Sequence, residues 1–303
     1  MSFASETKKT ICTVNEKRWC CKTSELSGLL CFGASYKNKT LTIKSESAEV
    51  FDRTVLLIDR QTSVSKQKIT LPKSEGCRYI LKISGTEEIM RLCEEMGFEF
   101  DLKNDCIDFC PSSDTLQNSC CKAAFVRGAY LMGGTVTDPE KNYHLEFVCK
   151  YAKAADKLSE ILESMKINAR LTVRKNSFVI YIKEFETIAN LLGHLGAGSE
   201  MMELYNLKIE RELRNDVNRA VNCDNANIKR ITAAAKVQIN AIKKIAETCG
   251  IESLPQTLSE VANARLENPE ASLEEIGKTL DVPIGKSGVN HRLSRIVEFA
   301  KNL

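Results

Sequence analysis

The sequence predicts an α+β fold: two similar halves, each ordered helix, hairpin, helix, hairpin, helix, and then a smaller all-helical unit. Three observations carry this. Two stretches 100 residues apart, Ser24 to Ser35 and Ala123 to Thr135, read as copies of one helix, with Gly28 matching Gly128 and Gly33 matching Gly133. Each copy follows a Cys-Cys pair, Cys20-Cys21 and Cys120-Cys121. After Gly196-Ala197-Gly198 the composition shifts to charged helical sequence without strand signals.

The elements follow in order. In the first half the pattern gives a helix over 23–33, a hairpin over 34–44, a helix over 46–59, strands near 64–71 and 77–83, and a helix over 86–97. In the second half it gives a helix near 119–132 and short strands at Gly134 to Thr137 and Tyr143 to Cys149 around an Asp138-Pro139 turn. A helix over 151–166 and a hairpin over 170–182 come next. That hairpin alternates on both sides of Lys175-Asn176. A last helix runs from about Glu184 to Leu195 and stops at Gly196. Small residues on one helical stripe let backbones approach, so the repeated helices are expected to form the seam between the halves through Gly28, Gly33, Gly128 and Gly133. The expected domains are 1–198 (halves about 20–100 and 117–198), a helical linker over 199–222, and a domain over 223–303.

Composition bounds the function. At 303 residues, 43% hydrophobic and 27% charged, the chain has the makeup of a globular protein of two or three domains. No apolar run approaches the ~20 residues of a membrane span, and Met1 to Glu6 lacks a secretory pattern. The expected location is therefore the cytoplasm, on the nucleoid. There an odd count of thirteen cysteines reads as thiols rather than disulfides. Zinc needs about four soft ligands at suitable spacing. The nearest set, Cys106 and Cys110 with Cys120-Cys121 downstream, is irregular, so no metal site is expected. Of the three histidines, His144 and His194 sit far from any carboxylate cluster and read as packing or surface residues, and Gly133-Gly134 lacks the Gly-Lys-Ser/Thr ending of a phosphate loop.

The net charge of +3 is uninformative, but its distribution is not. Arg60, Lys66, Lys68 and Lys73 fall in an acid-free run, as do Arg170, Arg174, Lys175 and Lys183, whereas Thr86 to Asp101 holds six acids against Arg91. Two readings of the basic hairpins stand level: phosphate binding by a sheet, and charged edges that block aggregation.

At Val126 to Thr135, with its degenerate partner at Leu26 to Ser35, the chain resembles the LAGLIDADG homing-endonuclease fold. In that family the paired helices each deliver one acid to a divalent metal at the dyad, which holds the scissile phosphate. Gly33 and Gly133 occupy the two acid positions here, and Asp138 and Glu140 lie past the helix in a turn. The resemblance narrows at Met1 to Lys9, Phe125 to Glu146 and Asn222 to Arg230. Over nearly its whole length the chain is similar to the bacterial WhiA proteins, which join a degenerate LAGLIDADG domain to a helix-turn-helix. That resemblance, not any residue pattern, implies transcriptional control tied to sporulation or to cell division and chromosome segregation.

The C-terminal unit has its own signals. A charged segment from about Met201 to Arg219 reads as a connecting helix. From Ile228, Ile231, Ala235, Ile239, Ile242 and Ala246 keep helical spacing, with Lys229, Arg230, Lys236, Lys243 and Lys244 on the other side and no acid from 225 to 246. Such cations can neutralise phosphates, although a charge run is more often a solvated helix face. Pro255, after Ser253, starts a helix that ends before Asn268-Pro269. Ser272-Leu273-Glu274-Glu275 is a capping box opening a short helix with Leu273, Ile276 and Leu280 inward. Asp281 to Gly285 breaks the chain, and Ser287 can cap the next helix. There Val289, Leu293, Ile296 and Ala300 share one stripe, leaving Asn290, His291, Ser294 and Arg295 outward, Lys286 at the entrance and Arg292 on the flank.

This is helix-turn-helix geometry. Asn290, His291, Ser294 or Arg295 would read base edges, while Lys286 and Arg292 meet phosphates. The competing reading is a three-helix protein-binding module with incidental basic groups. The functional expectation is a non-catalytic regulator binding double-stranded DNA at promoters, with no cofactor, membrane or small-molecule ligand, and with the LAGLIDADG-like body supplying contacts to a protein co-regulator or auxiliary contacts to DNA. Two alternatives stay open: a residual metal-dependent endonuclease, and an interaction scaffold with incidental DNA affinity.

Overall fold

A computed structural model describes residues 2–71, 79–101, 105–111 and 113–303. The expected Lys73, and the start of the strand expected at 77–83, lie outside these residues. The chain divides into two compact units, Met1–Glu210 and Arg211–Leu303.

In the first unit, α1 (Phe3–Cys12) precedes two copies of one plan. The first copy is α2 (Trp19–Gly33), β1 (Ala34–Lys37), β2 (Thr40–Ser45), α3 (Ala48–Gln61), β3 (Gln67–Thr70), β4 (Tyr79–Ser84) and α4 (Thr86–Met96). A small antiparallel pair, β5 (Glu99–Asp101) with β6 (Cys106–Asp108), and a 3-10 turn over Ser113–Leu116 follow. The second copy is α5 (Ser119–Gly133), β7 (Gly134–Val136), β8 (Leu145–Cys149), α6 (Ala152–Ser164), β9 (Arg170–Arg174), β10 (Ser177–Ile182) and α7 (Phe185–Leu195). The sequence pattern did not anticipate α1 or the β5–β6 pair.

The two four-stranded sheets have the same antiparallel order, β1-β2-β4-β3 and β7-β8-β10-β9. Local chemistry explains the corners. Asn38 and Lys39 both take positive φ, the two-residue hairpin geometry that matches strand twist. Ser47 caps α3 by accepting from the Val50 N–H, and Gly97 and Gly196 end α4 and α7 in the left-handed region. Two acids of α4 pin the chain that enters β3. Glu95 accepts from the Ser63 N–H at 3.0 Å and Glu88 from the Ser65 N–H at 2.5 Å. One apolar core runs through both halves, from Ile11 and Leu30 to Phe147 and Leu192.

Helix α8 (Gly198–Thr248) follows, then α9 (Gln256–Glu267), α10 (Leu273–Thr279) and α11 (Lys286–Lys301). A linker helix separate from the next unit's first helix was expected. Both belong instead to α8, because no glycine, proline or cap interrupts residues 199–248, and the boundary between units falls inside it. Its first turns belong to the first unit, with Leu204 buried, Tyr205 edge-on to Phe185, and Lys208 3.1 Å from Glu186. The second unit has its own core of Ile242, Ile245, Val261, Ile276, Leu293 and Ile296. Among the described residues, no helix is long and apolar enough to cross a membrane.

Candidate functional site

The seam is reciprocal. A Cβ on Gly28 would lie 2.1 Å from the Phe125 carbonyl oxygen, and one on Gly128 would lie 2.0 Å from that of Glu25. Only glycine lets α2 and α5 sit backbone to backbone here. At the ends of the helices the contacts change character. A Cβ on Gly33 would meet the Met132 side chain at 2.7 Å, and one on Gly133 would meet Phe32 Cδ1 at 2.9 Å and the Val148 carbonyl oxygen at 2.5 Å. Each position where the resemblance calls for an acid is thus roofed by an apolar side chain from the opposite helix. At Gly133 the backbone of β8 closes in as well. The two glycine pairs therefore do different things: Gly28 and Gly128 touch the backbone of the facing helix, whereas Gly33 faces the Met132 side chain and Gly133 meets both Phe32 and the β8 backbone.

One turn inside the seam lies a buried charge cluster that the sequence pattern did not reveal. Glu25 is fully buried and accepts from Arg53, bidentately, with Nη2 at 2.8 Å, and from Arg127 Nη1 at 3.2 Å. Arg53 Nη1 also donates to the carbonyls of Cys12 and Val14, both at 2.9 Å, and Arg127 Nε donates to that of Leu195 at 3.1 Å. Through these bonds the cluster ties α2, α3, α5, the C-terminal end of α1 and the end of α7 together. Its only sequence signal was Arg127 amid apolar and small residues.

The basic hairpins also look different in three dimensions. β3 and β9 are both edge strands, where like charges block pairing with another chain. Lys66 is held by Asp59, and Arg174 lies 3.9 Å from Glu146.

In the second unit, the capping box of α10 is formed, with Ser272 accepting from the Glu275 N–H at 3.2 Å and Glu275 accepting from the Ser272 N–H at 2.7 Å. The turn to α11 is fastened by the Ile284 N–H donating to the Gly277 carbonyl at 3.1 Å. A Cβ on Gly277 would lie 2.2 Å from the Ile284 oxygen, so this glycine sets how closely turn and helix approach. Arg265 Nη1 donates to the Ala271 carbonyl at 2.7 Å and holds the preceding turn.

α11 buries Val289, Leu293, Ile296 and Ala300. Lys286, Ser287, Asn290, His291, Ser294 and Arg295 are exposed. They divide further. His291 and Arg295 stand opposite the buried stripe, whereas Asn290 and Ser294 line a groove shared with Val237 and Gln238 of α8. Two expectations need correction. Ser287 does not cap α11: Gly285 is the N-cap and Ser287 lies in the first turn, because the helix begins at Lys286. Pro255 is likewise the N-cap of α9 rather than its first helical residue. Arg292 is half-buried, with Nη1 3.4 Å from the Thr257 carbonyl.

On α8 the stripe differs from the expected one. Ala235, Gln238, Ile242 and Ile245 are buried, Ile239 is partly so, and Ile231 and Ala246 are exposed. Ile231 falls on the same side of the helix as Ala235 and Ile242 but is exposed. Lys229, Lys236 and Lys243, seven residues apart, share one exposed face. Lys244 leaves that face, because its Nζ donates to the Ala300 carbonyl at 3.0 Å near the end of α11.

Comparison with known proteins follows this division. The family model described as the WhiA LAGLIDADG-like domain matches residues 122–214, and that described as the WhiA C-terminal HTH domain matches residues 217–300. The protein of Clostridium novyi (strain NT) named "Probable cell division protein WhiA" is 37% identical over 316 residues, covering 100% of this chain and 98% of that one. The chain belongs to the WhiA family. A WhiA relative in Ruminiclostridium cellulolyticum, with the same printed name, is 34% identical over 311 residues at the same coverage. Among solved structures, full-length WhiA from Thermatoga maritima superimposes with a TM-score of 0.63 at 26% identity, covering 100% of this chain and 99% of that one. The isolated LAGLIDADG domain of a WhiA protein matches with a TM-score of 0.51 at 20% identity, a likeness of fold.

One further cluster belongs to this WhiA chain, at cysteines for which the sequence gave no metal expectation. At the N-terminal ends of α2 and α5, the Sγ atoms of Cys20, Cys21 and Cys121 lie within 4.8 Å of one another. Cys120 packs against this group, and Arg18 Nη1 lies 3.4 Å from the Cys120 Sγ. The matched Cys-Cys pairs were the signal. Only the seam turns them into neighbours.

Proposed function

We propose that this protein is a non-catalytic, DNA-binding transcriptional regulator of the WhiA type. It acts at promoter sites on the nucleoid, in sporulation or in cell division and chromosome segregation. The observation that carries the reading is α11: four buried apolar residues on one stripe, and opposite them an exposed face of Ser287, His291 and Arg295 behind an open, basic N-terminal turn. That face fits insertion into a major groove, with His291 and Arg295 at base edges and Asn290 and Ser294 beside them. Lys286, Lys229, Lys236 and Lys243 are assigned to phosphates. Arg292 and Lys244, each committed to a carbonyl, contribute less.

The absence of catalysis is read from Gly33 and Gly133, whose surroundings are apolar side chains and backbone rather than acids. The body then serves as a platform for a protein co-regulator. Two experiments test this. Genome-wide mapping of bound sites for the wild type and for Lys286→Ala with Arg295→Ala should give discrete promoter peaks that the double variant loses; an unchanged map would remove α11 from the reading. Incubation with plasmid and Mg2+ should leave the DNA intact, and cleavage that survives extensive purification would return the residual-endonuclease alternative.

A further inference from the structure

The cysteine cluster sits where the chain's repeat converges. Cys20 and Cys21 are the second and third residues of α2, and Cys120 and Cys121 are the second and third residues of α5. The close approach at Gly28 and Gly128 fixes both helices side by side, so the two pairs face each other across the pseudo-dyad. The Sγ atoms of Cys20, Cys21 and Cys121 lie within 4.8 Å of one another, and Cys120 packs against the same group. Cys21 and Cys121 are buried, whereas Cys20 is exposed and Cys120 half-exposed, so the cluster has an open mouth.

Three independent features prepare this place for an anionic centre. Neither α2 nor α5 has an acid in its first turn, although α1, α3, α4 and α7 all do. Neither has a side-chain N-cap, so their first N–H groups are free of the partner that Ser47 supplies to α3. Arg18 adds a cation whose Nη1 lies 3.4 Å from Cys120 Sγ. Two helix N-termini and a guanidinium converge on the cluster, a positive setting that complements a metal-bound thiolate centre, whereas burial pushes the Cys21 and Cys121 thiols up, so that they would lose their protons only on binding a metal.

We propose that Cys20, Cys21, Cys120 and Cys121 form a structural tetrathiolate site for a soft divalent cation of the zinc class. Each thiol loses its proton to solvent as its sulfur donates an electron pair to the metal, so the centre carries two net negative charges and binding releases protons. Tetrahedral zinc at about 2.3 Å from each sulfur needs sulfurs about 3.8 Å apart. Three of the sulfurs, those of Cys20, Cys21 and Cys121, already lie within 4.8 Å of one another, and side-chain rotation, above all of the adjacent Cys120, supplies the remaining contraction. The metal would clip the two halves at the end of the helix pair opposite Gly33 and Gly133, joining residues about 100 positions apart where loop closure favours a cross-link.

The test is metal loading of the full-length protein under reducing conditions. Stripped protein should take up one equivalent of Zn2+, and Co2+ in its place should give the thiolate charge-transfer and visible bands of a tetrahedral sulfur site. Cys20→Ser and Cys120→Ser, at the exposed mouth, should each weaken Zn2+ binding at least tenfold with unchanged far-ultraviolet circular dichroism. Arg18→Ala, outside the ligand set, should weaken it about tenfold, and Cys106→Ser, on the exposed β6, should leave it intact. Failure of the wild type to bind a stoichiometric metal would overturn the proposal. So would Co2+ bands that persist in Cys20→Ser and Cys120→Ser, or a disulfide within the cluster that forms in place of metal uptake.

Discussion

The two helix pairs that matter most, α2 with α5 and α10 with α11, use the same device for opposite ends. In the first, Gly28 and Gly128 let two backbones touch, everything around them is buried, and the positions that could carry acids are covered by Met132 and Phe32. In the second, Gly277 lets the turn touch the end of α10, and the result is exposure: α11 is locked by Val289, Leu293 and Ile296 while its polar face stays open. A glycine contact is neutral about function. What decides the outcome is whether the surface it positions is closed against another element or left free for a partner.

The comparison can be broken most severely at the seam. Glu25→Ala leaves Arg53 and Arg127 buried without their acid, and should cost on the order of 3–5 kcal/mol in urea unfolding under reducing conditions. A loss near zero would mean that the cluster is incidental. Gly128→Val puts side-chain carbons where the Glu25 carbonyl sits and should cost about 3 kcal/mol or abolish soluble expression; a variant as stable as the wild type would show that the helices can move apart. The acid positions sharpen the point. Gly133→Asp collides with the β8 backbone and should cost on the order of 1–3 kcal/mol, whereas Gly33→Asp meets only the flexible Met132 and should cost less. Equal costs would mean that the two positions are equivalent after all.

At the open pair the expected effects are on binding, with stability unchanged. Arg295→Ala should lower affinity for a specific site by roughly 1–3 kcal/mol and relax the sequence preference there, measured by fluorescence anisotropy against matched and scrambled duplexes. Equal loss on both duplexes would reassign Arg295 to the backbone. The smallest effect belongs to Lys243→Ala, which should weaken all sequences alike and lower the slope of log affinity against log salt by about one. A selective loss on one sequence would put Lys243 near the bases.

Much of this fold is local enough to be written in the chain. Alternation on both sides of Lys175-Asn176 specified the β9–β10 hairpin, and Ser272 with Glu275 specified the start of α10. The spacing of Val289, Leu293, Ile296 and Ala300 specified which face of α11 is buried. Errors arose where a neighbour distant in sequence decides. Ile231 has the spacing of a core residue but is exposed, and Ala246 likewise, whereas Gln238, outside the expected stripe, is buried.

The sequence by itself determined the duplicated plan, the register that matches Gly28 with Gly128 and Gly33 with Gly133, and the polar face of α11, because periodicity, caps and turn residues act within a few positions of one another. Only the tertiary structure decided what those features meet. It closed β8 and Phe32 over Gly133, gathered Glu25, Arg53 and Arg127 from three helices, and brought Cys20-Cys21 against Cys120-Cys121. Each of these is a contact between residues tens to a hundred positions apart, and such contacts follow from how two helix backbones pack, which no local pattern encodes.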